Sequence, residues 1–475
     1  MKKARIAIVA LGHYVYFDQF EGLKDELMLK SKELSDYFDS QKHDIVDIGY
    51  IDRVDQAFDA VRRIKKEDVD ILFIILSTYV PSAVCAQFAR YLDIPQILVA
   101  IQPLNHLDYS HTTTYMQLAN DDVCAMPEIS GVYERMGRSI PPCIVAASVQ
   151  KNMIKKELDE WSAAVSAMAG FKYETIGYLG HTYEGMYDMH TDPTAFTATF
   201  GAHVKMLEMC ELYRISEAVS EEEINKKIEE IEGIFEICDP SIDPLTDYVK
   251  RSDLVYSARQ AVALDKLVTI NKLVALAYYY KSEPQNPYEQ LAANLIIGNT
   301  LLTSSGIPLA GEADLKTAAA MMIMKNIGGG GSFAEIHPFD VEDDVVLIGH
   351  DGPHNTQIAE GRPRLRKLKK YHGKSGSGIG VEFSLRSGPV TLLSINVDRN
   401  GKFKMIAAEG ESLPGEIPQT GNTNTRVSFG CPVCEFLSRW CEAGPTHHLA
   451  LGVGHHMEKL RKFSRISGIP LIEVK

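Results

Sequence analysis

The sequence predicts an α/β protein whose last third is rich in antiparallel β-strands. Residues 4–101 alternate apolar strand patterns with segments that carry apolar residues at helical spacing. After the four glycines at 328–331, the chain changes to short segments in which apolar and polar residues alternate. A chain of 475 residues is too long for one ordinary hydrophobic core. We therefore expect three domains, two α/β domains and a C-terminal β domain, at 1–170, 171–330 and 331–475.

The N-terminal region is expected to form a parallel sheet with helices on both faces, because strands and helices alternate along it. The predicted strands are Ile6–Leu11, Ile45–Tyr50, Ile71–Leu76 and Ile97–Ile101. The predicted helices are Phe20–Phe38, Val54–Lys66 and Pro81–Tyr91. The first strand is followed by the run ALGHYVY and not by G-x-G-x-x-G. A nicotinamide or flavin role therefore loses its main support.

The central region is predicted to be helical after one strand, Thr175–Leu179. Its predicted helices are Glu221–Ile237, Leu245–Tyr280, Pro287–Leu302 and Leu315–Ile327. The C-terminal region is predicted to contain short strands joined by turns such as Asp398–Gly401. These strands are Val345–Ile348, Arg364–Tyr371, Gly380–Leu385, Val390–Val397, Phe403–Glu409 and Leu471–Val474, with helices near Cys431–Ala443 and His456–Ile466.

Charge and hydropathy exclude two classes of partner. A formal net charge of −14 argues against a general nucleic-acid binder, which needs a basic face. Seven Lys and Arg residues cluster at 362–374, and this cluster is expected to decorate an exposed hairpin. No apolar run approaches the roughly 20 residues that span a bilayer, and the N-terminus is better explained as a first strand than as a secretory signal. We expect neither nucleic acid nor membrane as a partner.

The cysteines indicate a reducing compartment. The eight cysteines show no disulfide-framework spacing for a chain of this length, so a cytoplasmic protein is expected. Cys431, Cys434 and Cys441 form C-x2-C-x6-C. A structural zinc site needs four ligands, and no second CxxC supplies the fourth.

Four side chains in the last third are candidate metal ligands: Glu312, Glu335, His350 and His448. Two carboxylates and two imidazoles around one divalent ion leave coordination positions open for the oxygens of a substrate, and carboxylates also move protons. Spacing alone does not identify these residues. A Glu at a helix start is usually a cap favoured by the helix dipole, and a buried His is usually only hydrogen-bonded.

The sequence motifs around these four residues resemble those of a known family. In order, they are Gly-Glu-x-Asp-x-Lys-Thr-Ala-Ala from Gly311, Ser-Phe-x-Glu from Ser332, an apolar strand that ends in Gly-His at His350, Arg-Pro-Arg-Leu from Arg362, and Ala-Gly-x-x-His-His from Ala443. In this order they resemble the L-arabinose isomerase family, within the broader fucose/arabinose isomerase fold. The resemblance is strong over 311–455 and weaker but continuous upstream, which implies the three-domain fold of that family.

The resemblance implies a manganese-dependent aldose–ketose isomerase. It implies that the four candidate residues hold the ion and that Glu312 and Glu335 are also the catalytic acid–base pair. Such a site acts on an open-chain sugar, from which one carboxylate removes a proton to give a cis-enediol and a carboxyl returns it to the neighbouring carbon. The ligand set suits Mn²⁺, and Co²⁺ or Ni²⁺ could also occupy it. The family also implies a homo-oligomer, commonly a hexamer, whose pockets are shared between subunits.

Several positions that touch the sugar in the family differ here. His13 stands where the family has Gln, Ile336-His337 replaces an acid–Tyr pair, and the loop 116–128 has no aligned His. With Met186 and His447, the residues His13 and His337 are predicted to bind substrate. Drift at tolerant positions would explain these differences, but we favour a changed sugar and an unchanged reaction.

Some alternatives stay open at this point. His354 lies four residues after His350 and could replace it as a ligand, although the Gly-His junction favours His350. The chain could be a non-catalytic sugar-binding or regulatory homologue, although such a protein needs no proton-carrying glutamates. An epimerase or aldolase could use the same metal site. The sequence does not name the sugar.

Overall fold

The computed structural model describes residues 3–241, 246–368, 378–418 and 422–475. The chain divides into two compact units, Met1–Ala169 and Gly170–Lys475. The second unit includes both the central and the C-terminal regions expected from the sequence. The further boundary after residue 330 stays a prediction.

Five parallel strands form the sheet of the first unit, in the order β2-β1-β3-β4-β5. They are β1 (Arg5–Leu11), β2 (Asp44–Ile51), β3 (Ile71–Leu76), β4 (Gln96–Gln102) and β5 (Cys143–Ala147). The first four confirm the predicted strands to within one residue at each end. β5 was not predicted.

Helices cover both faces of this sheet, as predicted. They are α1 (Tyr14–Phe17), α2 (Leu23–Ser35), α3 (Val54–Lys66), α4 (Ser82–Tyr91), α5 (Thr114–Ala119), α6 (Met126–Arg135) and α7 (Lys151–Ala169). Alternate strand residues such as Val9 and Ile74 share one apolar cluster with side chains of α3, α4 and α6. On the opposite face, Ile75 lines a cavity with side chains of α2 and α7.

The second unit begins with a parallel sheet and its helices. Its strands are β6 (Thr175–Gly180), β7 (His203–Leu207), β8 (Glu236–Ile237), β9 (Thr246–Asp247), β10 (Leu273–Tyr279) and β11 (Leu309–Ala310). The order β11-β10-β6-β7 forms the sheet. The helices are α8 (Pro193–Phe200), α9 (Met209–Glu217), α10 (Glu221–Ile234), α11 (Arg251–Asn271), α12 (Pro287–Ala292), α13 (Ile296–Ser304) and α14 (Leu315–Ile327).

The predicted helix Leu245–Tyr280 is wrong at both ends of its described part, which begins after Leu245 with the strand β9. Only α11 is helical, and it ends where Lys272 adopts a left-handed φ of 51°. The apolar run that follows is β10, which lies between β6 and β11. A strand inside a parallel sheet is apolar on both faces, so its pattern resembles that of a buried helix. The predicted helix Pro287–Leu302 is likewise divided, into α12 and α13.

A closed antiparallel barrel confirms the predicted C-terminal β region. Strands β12, β13, β18, β17, β16 and β19 pair in that order and β19 pairs with β12, while β20 joins β17 in parallel. The strands are β12 (Ser332–Asp340), β13 (Val345–His350), β14 (Arg364–Leu368), β15 (Ile379–Glu382), β16 (Gly388–Val397), β17 (Phe403–Leu413), β18 (Thr423–Ser428), β19 (His448–Val453) and β20 (Leu471–Glu473). Two helices, α15 (Val433–Glu442) and α16 (Met457–Ser467), complete this part.

The basic cluster is less exposed than expected. β14 and β15 pair in antiparallel fashion, as the predicted hairpin requires, but Arg366 and Lys367 are buried. Arg366 Nε lies 2.9 Å from Glu382 Oε2, and Lys367 Nζ lies 2.7 Å from Asp253 Oδ2. Partnered charges explain this burial. The rest of the cluster, within 369–377, lies outside the described residues. None of the described helices has the length and apolar character needed to cross a bilayer.

We predict that Phe436→Ala lowers the free energy of unfolding by about 3–5 kcal/mol, the usual effect of removing a buried ring. Phe436 on α15 is fully buried and stacks on Phe429 with ring centroids 3.4 Å apart. Urea denaturation measures the change. Phe339→Ala is the matched control, because Phe339 is 49% exposed. Equal effects of the two substitutions would contradict this account of the packing.

Candidate metal centre

Three of the predicted ligands meet on neighbouring strands of the barrel. Glu335 on β12 lies opposite His448 on β19 in the antiparallel register, and it lies opposite Gly349 on β13. His350 is the last residue of β13. Opposite residues of an antiparallel pair project to the same face. Glu335 and His448 therefore project together, and with His350 at the end of β13 they form a group whose ligand atoms all lie within 4.8 Å of one another.

The fourth predicted ligand, Glu312, comes from a strained turn between β11 and α14. Glu312 and Ala313 both adopt left-handed backbone conformations, with φ of 56° and 58°. This region is unfavourable for residues other than glycine, and such strain is concentrated at functional sites. The turn brings Glu312 Oε2 to 3.3 Å from His448 Nε2.

The four predicted ligands divide between two overlapping clusters. The first contains Glu335, His350 and His448, and the second contains Glu312, His447 and His448, each with ligand atoms within 4.8 Å of one another. An octahedral ion with ligands at about 2.1 Å holds opposite ligands about 4.2 Å apart. Each cluster therefore has the donor types and the dimensions for one divalent ion.

Asp314 fixes the orientation of the shared histidine. It caps the N-terminus of α14, where Oδ1 accepts from the backbone N–H groups of Lys316 and Thr317, both at 3.1 Å. Its Oδ2 accepts from Thr317 Oγ1 at 2.7 Å and lies 3.2 Å from His448 Nδ1. A carboxylate on one ring nitrogen directs the other nitrogen toward the ion in most metal sites. Here that nitrogen is Nε2, which faces Glu312.

The two buried partners stabilise opposite charges. Burial alone would lower the pKa of His448, but the hydrogen bonds and charges of Asp314 and Glu312 outweigh it and raise the pKa to about 9. Burial would raise the pKa of Asp314, but contacts with His448, Lys316 and Thr317 lower it to about 2. Because a divalent ion binds only the unprotonated nitrogen, ion binding at His448 must release a proton.

His447 has a carboxylate partner of its own. Asp188 lies on a short 3-10 turn after β6, and its Oδ2 accepts from the backbone N–H of His447 at 3.0 Å. The same oxygen lies 2.7 Å from the ring nitrogen Nδ1 of His447. Burial would raise the pKa of Asp188, but these contacts lower it. His447 Nε2 is buried and has no hydrogen-bond partner among the described residues.

The structure distinguishes His350 from His354. His354 is fully buried, its Nδ1 lies 3.5 Å from Ser332 Oγ, and burial lowers its pKa to about 3. It belongs to neither cluster that the described residues form. This placement favours His350 as the ligand.

The predicted substrate-binding residues lie in different places. His337 Nε2 is 3.8 Å from Glu335 Oε1, and Met186 lines a cavity of the second unit. His13 belongs to the first unit, where its ring packs edge-on against Tyr16 at a centroid distance of 4.9 Å. His447 joins the second ligand cluster.

The cavity has a volume of about 600 Å³, within the range of small-molecule sites. Glu312 and His350 form part of its wall. Its aromatic lining consists of Tyr183, Tyr278, Tyr279 and Tyr280. Aromatic faces and convergent polar groups suit a small polar ligand that must be oriented.

Sequence reasoning missed two of the residues that define this centre. Asp314 could have been recognised as the N-cap of α14, since Asp before a helical pattern is a capping signal. Asp188 gave no such signal, because it is separated from His447 by 259 positions.

Together, the fold and the site define an α/β protein with a carboxylate–imidazole centre suited to one divalent ion. Two family models match the chain: the L-arabinose isomerase central domain over 182–330 and the L-arabinose isomerase C-terminal domain over 330–470. The matches cover more than half of the chain. The chain therefore belongs to the L-arabinose isomerase family, as the resemblance predicted.

Named relatives are distant. L-arabinose isomerase 1 of Bacillus licheniformis is 22% identical over 339 residues, which are 70% of this chain and 66% of that protein. The L-arabinose isomerase of Cellvibrio japonicus is 22% identical over 413 residues, 85% of this chain and 80% of that protein. A sulfoquinovose isomerase of Alkalicoccus urumqiensis is 22% identical over 325 residues, 68% of this chain and 70% of that protein. The chain spans slightly less than two thirds of the first relative's length.

We predict that Asp314→Asn and Asp314→Ala both raise the Kd for Mn²⁺ roughly 10–100-fold, because each removes the charge that orients His448. Asp314→Ala should lower the free energy of unfolding by about 0.5–2 kcal/mol more than Asp314→Asn does, since asparagine caps helices as well as aspartate does. Calorimetric titration and urea denaturation measure the two effects. Wild-type affinity in Asp314→Asn would show that Asp314 acts only as a helix cap.

Proposed function

We propose that this protein is a metal-dependent aldose–ketose isomerase. The observation that carries the proposal is the pair of carboxylate–imidazole clusters around His448, which reach a cavity of about 600 Å³ through Glu312 and His350. Membership of the L-arabinose isomerase family supports the same reaction class. Retention of both glutamates argues for turnover and against a binding-only role.

The ligands proposed for the ion are Glu312, Glu335, His350 and His448. Oxygen and imidazole donors suit Mn²⁺, and Co²⁺ and Ni²⁺ are also compatible with them. When bound, a divalent ion would polarise the sugar carbonyl and stabilise the charge that develops on its oxygen. Asp314 keeps His448 turned toward this position, and His350 forms the adjoining wall of the cavity.

The two glutamates are proposed to carry the proton. One carboxylate removes the proton from C2 of the open-chain aldose, which gives a cis-enediol, and a carboxyl returns a proton to C1. Glu312 is the better placed for the first step, because it lines the cavity directly. Glu312 stands in a short 3-10 turn, where its backbone has a left-handed φ of 56°.

The sugar is proposed to differ from L-arabinose. The named relatives include isomerases of L-arabinose and of sulfoquinovose, so the family name does not fix the substrate. His337 lies beside Glu335 and differs from the family pattern, as does His13. We also propose a cytoplasmic homo-oligomer, a hexamer, in which residues of a neighbouring subunit complete each pocket.

The test of the function is product analysis by NMR with Mn²⁺ and a panel of pentoses, hexoses and 6-deoxyhexoses. We expect a ketose from at least one aldose, with a kcat/KM above that for L-arabinose. A pocket whose polar groups do not match a sugar can lower kcat/KM for that sugar by orders of magnitude. An epimer or fragments would assign a different reaction to the site. If L-arabinose gives the highest kcat/KM, the changed positions reflect drift.

Removal of the ion should abolish activity and lower the melting temperature. An ion that binds only the folded state stabilises it by mass action. Exhaustive chelation, checked by elemental analysis, should therefore abolish activity and lower the melting temperature. Added Mn²⁺ should restore both the activity and the melting temperature. Full activity in a protein shown to be metal-free would refute the metal dependence.

Glu312→Gln and Glu335→Gln should each reduce kcat by at least about 10²–10⁴-fold, the usual contribution of general acid–base catalysis. Each substitution also removes a ligand charge. Steady-state assays at saturating Mn²⁺ measure kcat. Glu342→Gln is the matched control, because Glu342 is an exposed carboxylate between β12 and β13. Near-normal turnover in either glutamate variant would remove that residue from the mechanism.

A further inference from the structure

Two adjacent histidines, His447 just before β19 and His448 at its first residue, each have a carboxylate beside Nδ1. His448 has Nδ1 beside the carboxylate of Asp314 and Nε2 beside Glu312. His447 has Nδ1 beside the carboxylate of Asp188, and its Nε2 is buried without a hydrogen-bond partner among the described residues. A carboxylate on one ring nitrogen is the usual companion of a histidine that binds a metal through the other.

Asp188 fixes the form of the His447 ring. Its Oδ2 accepts the backbone N–H of His447 and also faces the ring Nδ1. An acceptor at Nδ1 holds the proton on that nitrogen and leaves a lone pair on Nε2. Lys316 donates to Thr191 Oγ1 at 3.1 Å, which ties the segment that carries Asp188 to α14. The segment that holds the His447 ring through Asp188 is therefore anchored to the helix that Asp314 caps.

The lone pair of His447 adjoins two possible ligands. Ligand atoms of Glu312, His447 and His448 lie within 4.8 Å of one another, the same criterion that the Glu335, His350 and His448 cluster satisfies. His448 has only one nitrogen available for both clusters, because its Nδ1 faces Asp314. The two clusters therefore cannot hold two ions through His448 at once.

We propose that the centre offers one divalent ion a second position, with His447 as a ligand beside Glu312 and His448, and that Asp188 is the positioning residue for His447. The inference rests on the ion site of the proposed function. The two positions share Nε2 of His448, so that one subunit binds one ion. His447 thereby has a role toward the ion and not only toward the sugar.

The test disrupts the Glu335, His350 and His448 position by substituting His350. Pulsed electron paramagnetic resonance then counts the imidazole ligands on Mn²⁺. In His350→Gln, the ion should keep two coordinated imidazole nitrogens, from His447 and His448. In the double variant His350→Gln/His447→Gln, only one should remain. One ion per subunit is expected in the wild type. Circular dichroism and the melting temperature check that each variant is folded.

Asp188→Asn in the His350→Gln background tests the positioning role. It should raise the Kd for Mn²⁺ roughly 10–100-fold, the usual effect of losing such a partner. Asp192→Asn is the matched control, because Asp192 lies in the same segment and caps α8 through Thr194 N at 2.8 Å. This control should leave both the Kd and the nitrogen count unchanged.

A single imidazole coupling in folded His350→Gln, or loss of Mn²⁺ binding from it, would overturn the second position. An unchanged Kd in Asp188→Asn would overturn the role of Asp188. These outcomes are separable from the proposed function. If the wild type forms a ketose but Mn²⁺ in His350→Gln couples to only one imidazole, the second ion position is refuted and the proposed function is not. If Mn²⁺ in His350→Gln couples to two imidazoles but the wild type forms no ketose from any aldose, only the isomerase function is refuted.

Discussion

The contact between Asp314 and His448 is the constraint on which the rest of the centre depends. Both side chains are fully buried, and their charges are opposite. Isolated buried charges are unfavourable, and the pair is stabilised because Asp314 also accepts three hydrogen bonds at the start of α14. The helix thus fixes the carboxylate, the carboxylate fixes the imidazole, and the imidazole defines where an ion can bind.

The barrel supplies the remaining geometry through strand register. Glu335 faces His448 across β12 and β19, and His350 ends the next strand. A shift of one residue in either pairing would turn a ligand to the other face. The barrel therefore holds one side of the centre rigidly. On the other side Glu312 comes from a strained turn, where small backbone changes can move its carboxylate relative to the cavity.

Much of this fold follows from local pattern, and the errors have physical causes. Helix α14 is predicted to the residue because its apolar residues recur at helical spacing and glycines end it. The strands β12 and β19, which carry Glu335 and His448, were not predicted, because neither SFAEIHPFD nor HLALGV shows a regular alternation of apolar and polar residues. The four proposed ligands came from a resemblance, whereas Asp188 and the second cluster depend on contacts between distant segments that no spacing encodes.

The most direct test of the account follows hydrogen during turnover. The aldose that the wild type converts fastest should be isomerised in D2O with Mn²⁺, and the ketose examined by NMR. A carboxyl that exchanges protons with solvent between removal and return predicts deuterium at C1 of the ketose. Complete retention of the original C2 hydrogen at C1 would contradict proton transfer through a carboxyl that exchanges with solvent.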